Sequence, residues 1–233
     1  MRIAAIIPAA GTGRRFEKSF PKQFLSLREK PILTHTIQKI HDCDQINEIF
    51  LIVSKDKIKY CREEIVRKNN FSKIKKIVTG GRERQDSVYN GIKELDSDTD
   101  LVVIHDGVRP FVSSQIFLDV IEEAREYGAA TVAVPEVDTI KEVSPEGMVI
   151  RTLNREHIWK ALTPQAFKFD ILKKAFEKAF KEGYYATDDA SIVEWAGYQV
   201  KIVKGSPYNI KITTQEDLAL GETMLRIRSN KLP

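Results

Sequence analysis

Cysteine is scarce in these 233 residues: only Cys43 and Cys61 occur. They lack metal-ligand spacing, so the sequence holds no disulfide framework and no cysteine-built zinc site, which fits a reducing cytoplasm. No apolar run approaches the ~20 residues of a membrane span, so no membrane partner is expected. The start lacks the apolar core and small-residue cleavage site of a secretory signal. Strong charge of one sign is also missing. The formal net charge is +4, and the lysines are dispersed among glutamates, which argues against nucleic acid as a partner. A mild positive balance focused in a cleft suits a small anionic substrate. With 42% hydrophobic and 30% charged residues, the composition is that of an ordinary globular chain, and the length suits a single domain over 1–233.

The stretch that organises the chain is its opening, Ile3-Ala4-Ala5-Ile6-Ile7-Pro8-Ala9-Ala10-Gly11-Thr12-Gly13-Arg14-Arg15-Phe16, continued to Pro21-Lys22-Gln23. An apolar run reads as a strand buried on both faces. Ala9, Ala10, Gly11 and Gly13 then allow a ligand close to the backbone, and Arg14, Arg15 and Lys22 add positive charge, as a polyphosphate cradle requires. The stretch is not a P-loop, because Gly-x-x-x-x-Gly-Lys-Ser/Thr is absent. Nor is it a dinucleotide fingerprint, because Phe16 replaces the third glycine and Pro21 interrupts any following helix.

Strand and helix signals alternate thereafter. Apolar runs at 3–7, 49–53, 74–78, 101–104 and 130–135 read as strands. Helical patterns lie at 31–41, 55–68, 83–95 and 114–127. The order predicts an α/β fold, Rossmann-like and doubly wound, with a mostly parallel sheet. Ligands bind such sheets beyond the carboxyl ends of the strands, at the topological switch point. Residues 138–143 and 148–153, around Ser144-Pro145-Glu146-Gly147, read as a β-hairpin arm, spanning about 138–155. It either packs on its own domain or projects, and a projecting edge is commonly covered by a second subunit. Helices at 170–182, 188–196 and 214–228 and a strand at 199–203 complete the pattern, with Thr214 and Asp217 capping the last helix.

Five further sets of residues sit at strand ends or turns. Thr79-Gly80-Gly81-Arg82-Glu83-Arg84-Gln85-Asp86-Ser87 joins a strand to a helix N-terminus, where Ser87 is placed to read a base edge. His105-Asp106-Gly107-Val108-Arg109-Pro110 offers Asp106 as a Mg²⁺ ligand, since Mg²⁺ takes only one or two protein carboxylates. His105 there reads as a structural hydrogen-bond partner, and Arg109 as a brace for the loop. Thr139, Arg155 and Thr163 offer hydroxyls and a bidentate phosphate donor. Thr187-Asp188-Asp189 precedes a helix as a cap or as support for the cleft, and Asn209-Ile210-Lys211-Ile212-Thr213 reads as a short extended run in which Lys211 is either a solvated charge or a second cleft cation.

Taken together, Pro-Ala-Ala-Gly-x-Gly-Arg-Arg, Pro-Lys-Gln, Gly-Gly-x-x-Arg-x-x-Ser, His-Asp-x-x-Arg-Pro, Asp-Thr, Leu-Thr-Pro-Gln, Thr-Asp and Asn-Ile-Lys, in this order over nearly the whole chain, resemble the 2-C-methyl-D-erythritol 4-phosphate cytidylyltransferase family of the non-mevalonate isoprenoid pathway. Gly107-Val108 departs from the two alanines of many members. Ribitol-phosphate cytidylyltransferases share much of the pattern but tend to begin Ala-Gly-Gly where this chain has Ala9-Ala10-Gly11. A non-catalytic nucleotide-binding module is the remaining alternative. The resemblance implies CMP transfer from CTP to methylerythritol phosphate by a homodimer using Mg²⁺ or another divalent cation. It implies that Ala9, Ala10, Gly11 and Gly13 wrap CTP and that Gly81 and Ser87 read cytosine. Arg15 and Lys22 would stabilise the pentacoordinate α-phosphate, with Lys211 beside the reacting phosphates and Asp106 positioning the metal. Thr139, Arg155 and Thr163, together with Lys211, would hold the acceptor, some of them across the subunit boundary.

Overall fold

The structure is a computed structural model that describes residues 1–11 and 21–229. In chain order its elements are β1 (Ile3–Pro8), the short pair β2 (Ser26–Leu27) and β3 (Lys30–Pro31), α1 (Ile32–His41), β4 (Glu48–Val53), α2 (Ile58–Tyr60), β5 (Ile74–Thr79), α3 (Arg84–Ile92), β6 (Leu101–Ile104), α4 (Ser114–Tyr127) and β7 (Ala129–Pro135). The hairpin β8 (Lys141–Val143) and β9 (Val149–Thr152) follows, then β10 (Trp159–Lys168), α5 (Phe169–Glu182), α6 (Asp189–Trp195), β11 (Lys201–Lys204) and α7 (Gln215–Ser229).

Seven strands form one sheet in the order β11-β7-β10-β6-β1-β4-β5. β1 runs parallel to both β4 and β6, β4 is parallel to β5, and β11 is parallel to β7. Only β10 is antiparallel to its neighbours β6 and β7. The chain winds outward from β1 through β4 to β5, then returns to place β6 on the other side of β1. The carboxyl ends of β1 and β6 therefore flank the switch point, where the expected ligand crevice lies.

The apolar run of β1 is explained by its two faces. Ile3, Ala5 and Ile7 pack with Leu33, Ile37, Phe117 and Ile121 on the α1/α4 side. Ala4 and Ile6 pack with Val88, Ile92, Leu172 and Phe176 on the α3/α5 side. Burial of each large side chain contributes about 1.5–3 kcal/mol, so the strand is fixed from both sides and its end is a rigid platform. A third cluster, Leu27, Ile32, Val108, Phe111 and Ile212, sits beneath Leu218, Met224 and Leu225 of α7. α4 stops at Gly128, whose φ of +92° suits glycine and where a Cβ would lie 2.8 Å from Ile171.

Three local expectations change. The helix read over 55–68 is irregular: a 3₁₀ turn at Lys55–Lys57 precedes α2, and a π-helical stretch, Cys61–Arg67, follows it. β10 carried no strand signal because Pro164 lies inside it, and proline is disfavoured in a central strand. Its ladder with β7 shifts register between Ala161 and Gln165, which accommodates the proline. Residues 209–213 join no sheet; the Ile212 amide donates to the Val108 carbonyl at 2.9 Å instead. The hairpin does project. Every residue of β8 and β9 is exposed, with Val143, Met148, Val149 and Ile150 each more than half accessible.

Candidate active site

The loop after β1 is held by neighbours rather than by itself. The Ala9 amide donates to the Ile52 carbonyl (2.7 Å), so that amide is not open to a ligand. Buried Gln23 donates through Nε2 to the carbonyls of Ala9 (2.6 Å) and Gly11 (3.2 Å). The Gly107 amide donates to the Pro8 carbonyl (3.2 Å), tying the β6 loop to the β1 loop. Small residues permit this convergence: a Cβ on Gly80 would overlap that of Ala10, and one on Gly107 would lie 3.0 Å from that of Ala9. Gly11, by contrast, faces open space: a Cβ there would meet no described atom within 4 Å. Gly11→Ala is therefore expected to melt like the wild type yet raise KM for the nucleotide about tenfold, which melting curves and initial rates check together.

These loops enclose a cleft of about 470 Å³. Ala9, Ala10, Gly11, Lys22, Gly81, Ser87, Asp106 and Lys211 all line it. Gly13 and Arg15 lie outside the described residues. Ser87 is committed to its own loop: its hydroxyl donates to the Glu83 carbonyl (3.0 Å) and accepts from the Gly81 amide (3.1 Å). It shapes the turn that lines this part of the cleft. The α3 N-terminus is further closed by Asp86, whose Oδ2 accepts from the Glu83 amide (2.9 Å).

The charge of the cleft is organised on Asp106, which is 5% exposed. Its Oδ1 accepts from Arg84 Nε (3.1 Å), and its Oδ2 lies 2.8 Å from Lys211 Nζ and 3.7 Å from Arg109 Nε. Burial would raise this carboxyl, but Arg84, Lys211 and Arg109 outweigh it and hold the group well below the usual carboxylate range. Lys211 is thus a cleft cation. Arg109 braces the loop as expected, donating through Nη1 to the Asn209 carbonyl (2.8 Å). Among the described residues no three His, Cys, Asp or Glu side chains gather as a metal-holding group. Among them, two carboxylates line the cleft, Asp106 and Glu83, and of the two only Asp106 is buried. That fits Mg²⁺, which draws most of its shell from water and substrate phosphate.

Three acceptor candidates fall elsewhere. Thr163 was expected to offer its hydroxyl to a substrate, but it is buried and that hydroxyl is taken. It accepts from the Asp106 amide (3.1 Å) and contacts His105 Nδ1 (3.0 Å), while His105 Nε2 contacts the Arg109 carbonyl (3.0 Å). A carbonyl can only accept, so Nε2 carries the proton, Nδ1 accepts from Thr163, and the pair positions Asp106. Thr139 and Arg155 are exposed at the hairpin base and do not line the cleft of their own chain; Arg155 Nη1 donates to the Val137 carbonyl (2.6 Å).

His105 bears out its structural reading. Complete burial lowers its pKa to about 4, leaving it neutral at pH 7. The unfolded chain gains a proton on this ring near pH 6.5, the folded chain only near 4. Stability is therefore full above 6.5 and falls by about 3 kcal/mol as the pH drops through that window. Below it, loss of the Asp106 charge acts in the same direction. Denaturant titrations at pH 7, 5.5 and 4.5 should show this decline, and His105→Gln should flatten it.

Two residues with no ligand-binding role assigned to them also belong to the site. Arg84 reaches Asp189 through Nη1–Oδ1 (3.0 Å) and Nη2–Oδ2 (2.7 Å). Arg84 stood in the Gly-Gly-x-x-Arg motif without a role. Of the pair read as a cap or as support for the cleft, Asp188 caps α6, accepting from the Ser191 amide (2.9 Å), and Asp189 gives the support, through Arg84.

A nucleotide-sized cleft at the switch point of a mostly parallel sheet, with cations gathered on one buried carboxylate, Asp106, defines a Rossmann-like nucleotidyltransferase. The chain belongs to the 2-C-methyl-D-erythritol 4-phosphate cytidylyltransferase (IspD) family, whose sequence model matches residues 3–227. It is similar to the enzyme of that name from Syntrophus aciditrophicus, at 46% identity over 99% of both chains, and to that of Desulforamulus reducens, at 47% over 97% of both. Among solved structures, 4-diphosphocytidyl-2C-methyl-D-erythritol synthase from Anaerococcus prevotii matches with a TM-score of 0.85 at 32% identity, over 97% of this chain and 96% of that one. The Thermus thermophilus cytidylyltransferase matches at 0.80 and 30% identity, over 97% and 100%.

Proposed function

We infer that the chain transfers CMP from CTP to 2-C-methyl-D-erythritol 4-phosphate, releasing pyrophosphate, in isoprenoid biosynthesis. The observation that carries this reading is the cation set of the cleft, Lys22, Arg84 and Lys211 around Asp106, in a chain of this family. An oxygen of the acceptor phosphate attacks the α-phosphorus of CTP in line, the new P–O bond forms, and the bond to pyrophosphate breaks. A phosphate monoester is already anionic at neutral pH, so no general base is needed. The barrier is anion–anion repulsion and charge gathering on the phosphoryl oxygens, which positioned cations oppose. Lys22 and Arg15 are assigned to the α-phosphate, and Lys211 to the acceptor and reacting phosphates. Asp106 would hold Mg²⁺, which when bound would neutralise part of the triphosphate charge.

The whole chain acts as one domain, in the cytoplasm, and no helix among its described residues is long and apolar enough to cross a membrane. Two copies pair through the apolar hairpin, so that Thr139 and Arg155 of one subunit complete the acceptor site of the other. Arg155→Ala is then expected to raise KM for methylerythritol phosphate at least tenfold with little change in KM for CTP, read from initial rates with each substrate varied. Ribitol 5-phosphate offered beside methylerythritol phosphate tests the acceptor. Equal or faster turnover of ribitol 5-phosphate would overturn the assignment.

A further inference from the structure

The connection between α5 and α6 is stitched to the first turn of α3 by three consecutive side chains. Gln85 donates through Nε2 to the Tyr184 carbonyl (2.9 Å) and accepts through Oε1 from the Ala186 amide (3.0 Å). The Tyr185 hydroxyl donates to Asp86 Oδ1 (3.0 Å). Arg84, just before them, spends both terminal nitrogens on Asp189, the first residue of α6, and turns Nε to Asp106. Asp189 is fully buried and does not line the cleft. Its amide and that of Ala190 donate to Gln165 Oε1 (3.2 and 3.1 Å), so the carboxylate is fixed from its own backbone outward.

We propose that Asp189 is a positioning residue for cytidylyl transfer: its two-pronged grip fixes the Arg84 guanidinium so that Nε holds one oxygen of Asp106 in place. The other oxygen of Asp106, now on Lys211, can then change partner when the triphosphate draws Lys211 away. Arg84 in this arrangement is an anchor, not a phosphate-binding arm. The inference rests on the reading of the cleft as the CTP site. A single lysine cannot imitate the geometry, because it offers one point charge where the guanidinium bridges two carboxylates.

The test compares wild type, Asp189→Asn, Arg84→Lys, Arg84→Gln and the double variant Arg84→Gln/Asp189→Asn for melting temperature, CTP binding by calorimetry without acceptor, kcat and both KM values. Asp189→Asn and Arg84→Lys are expected to lower kcat roughly 10–100-fold and to weaken CTP binding, with KM for the acceptor nearly unchanged. The double variant, which replaces the ion pair by two neutral amides, is expected to regain melting temperature but not kcat, its rate staying within about threefold of Arg84→Gln alone. A purely structural role would restore rate and melting temperature together. A double variant with recovered kcat overturns the inference. So does Arg84→Lys or folded Asp189→Asn turning over at the wild-type rate, and Arg84→Lys decides the matter if Asp189→Asn does not fold. Wild type that releases no pyrophosphate from CTP and methylerythritol phosphate refutes the reading of the cleft itself, a different failure.

Discussion

Replacing Lys22 by alanine is expected to lower kcat roughly 10²–10³-fold, about 3–4 kcal/mol, while the chain melts as before. Lys22 begins a 3₁₀ turn, Lys22–Phe24, directly after Pro21. The next residue, Gln23, is buried beneath the loop after β1, so the turn sets the lysine at the cleft wall. Lys22 itself is only half-buried, and its side chain is not part of any apolar cluster. Loss of the amine should therefore remove transition-state charge stabilisation without loosening the fold. KM for CTP is expected to move far less than kcat, because the assigned partner, the α-phosphate, gathers charge chiefly during transfer. Steady-state kinetics together with a melting curve test this. Turnover within twofold of the wild type would remove Lys22 from the mechanism.

Asp106→Asn should affect stability and turnover together. The amide has nearly the shape of the carboxylate but leaves Arg84, Arg109 and Lys211 without their shared anion. Breaking a buried ion pair by removing one partner typically costs about 3–5 kcal/mol. For a chain of this size that corresponds to a melting temperature lower by roughly 6–20 °C. The same change strengthens the positive field that an incoming triphosphate meets. CTP binding without divalent cation is thus expected to persist or tighten in Asp106→Asn, while turnover falls at least about 100-fold. Calorimetry with CTP in the presence of a chelator, beside a pyrophosphate-release assay, separates the two effects. A variant that neither loses stability nor turns over more slowly would contradict the role given to Asp106.

The parallel half of the fold was legible because its strands are buried on both faces. Ile3–Pro8, Glu48–Val53 after its first residue, and Leu101–Ile104 are continuous apolar runs. β10 was not legible, because Pro164 breaks its local signal and only the pairing with both β6 and β7 makes it a central strand. The same contrast holds in the site. Asp106 announced itself as a charge at a strand end and Lys22 as a cation just after the glycine loop, while Lys211 was open between a solvated charge and a cleft cation; the cleft unites the three. The role of Asp189 depends on a partner 105 residues away, and its own neighbourhood reads as a helix cap. Thr163 shows the converse: a hydroxyl near a substrate loop suggested a ligand contact, and tertiary packing turns it inward to hold the Asp106 amide and His105. Ser87 likewise spends its hydroxyl on the loop that it helps to form.

At the centre of this account, the cleft beyond β1 and β6 joins CTP to a methylerythritol phosphate by charge and positioning alone. A pyrophosphate-release assay with the purified chain, leaving out CTP, acceptor and divalent cation one at a time, tests it most directly. Pyrophosphate should appear with all three present and drop to background when any one is withheld. Release that continues without the acceptor, or no release from the complete mixture, would contradict the account.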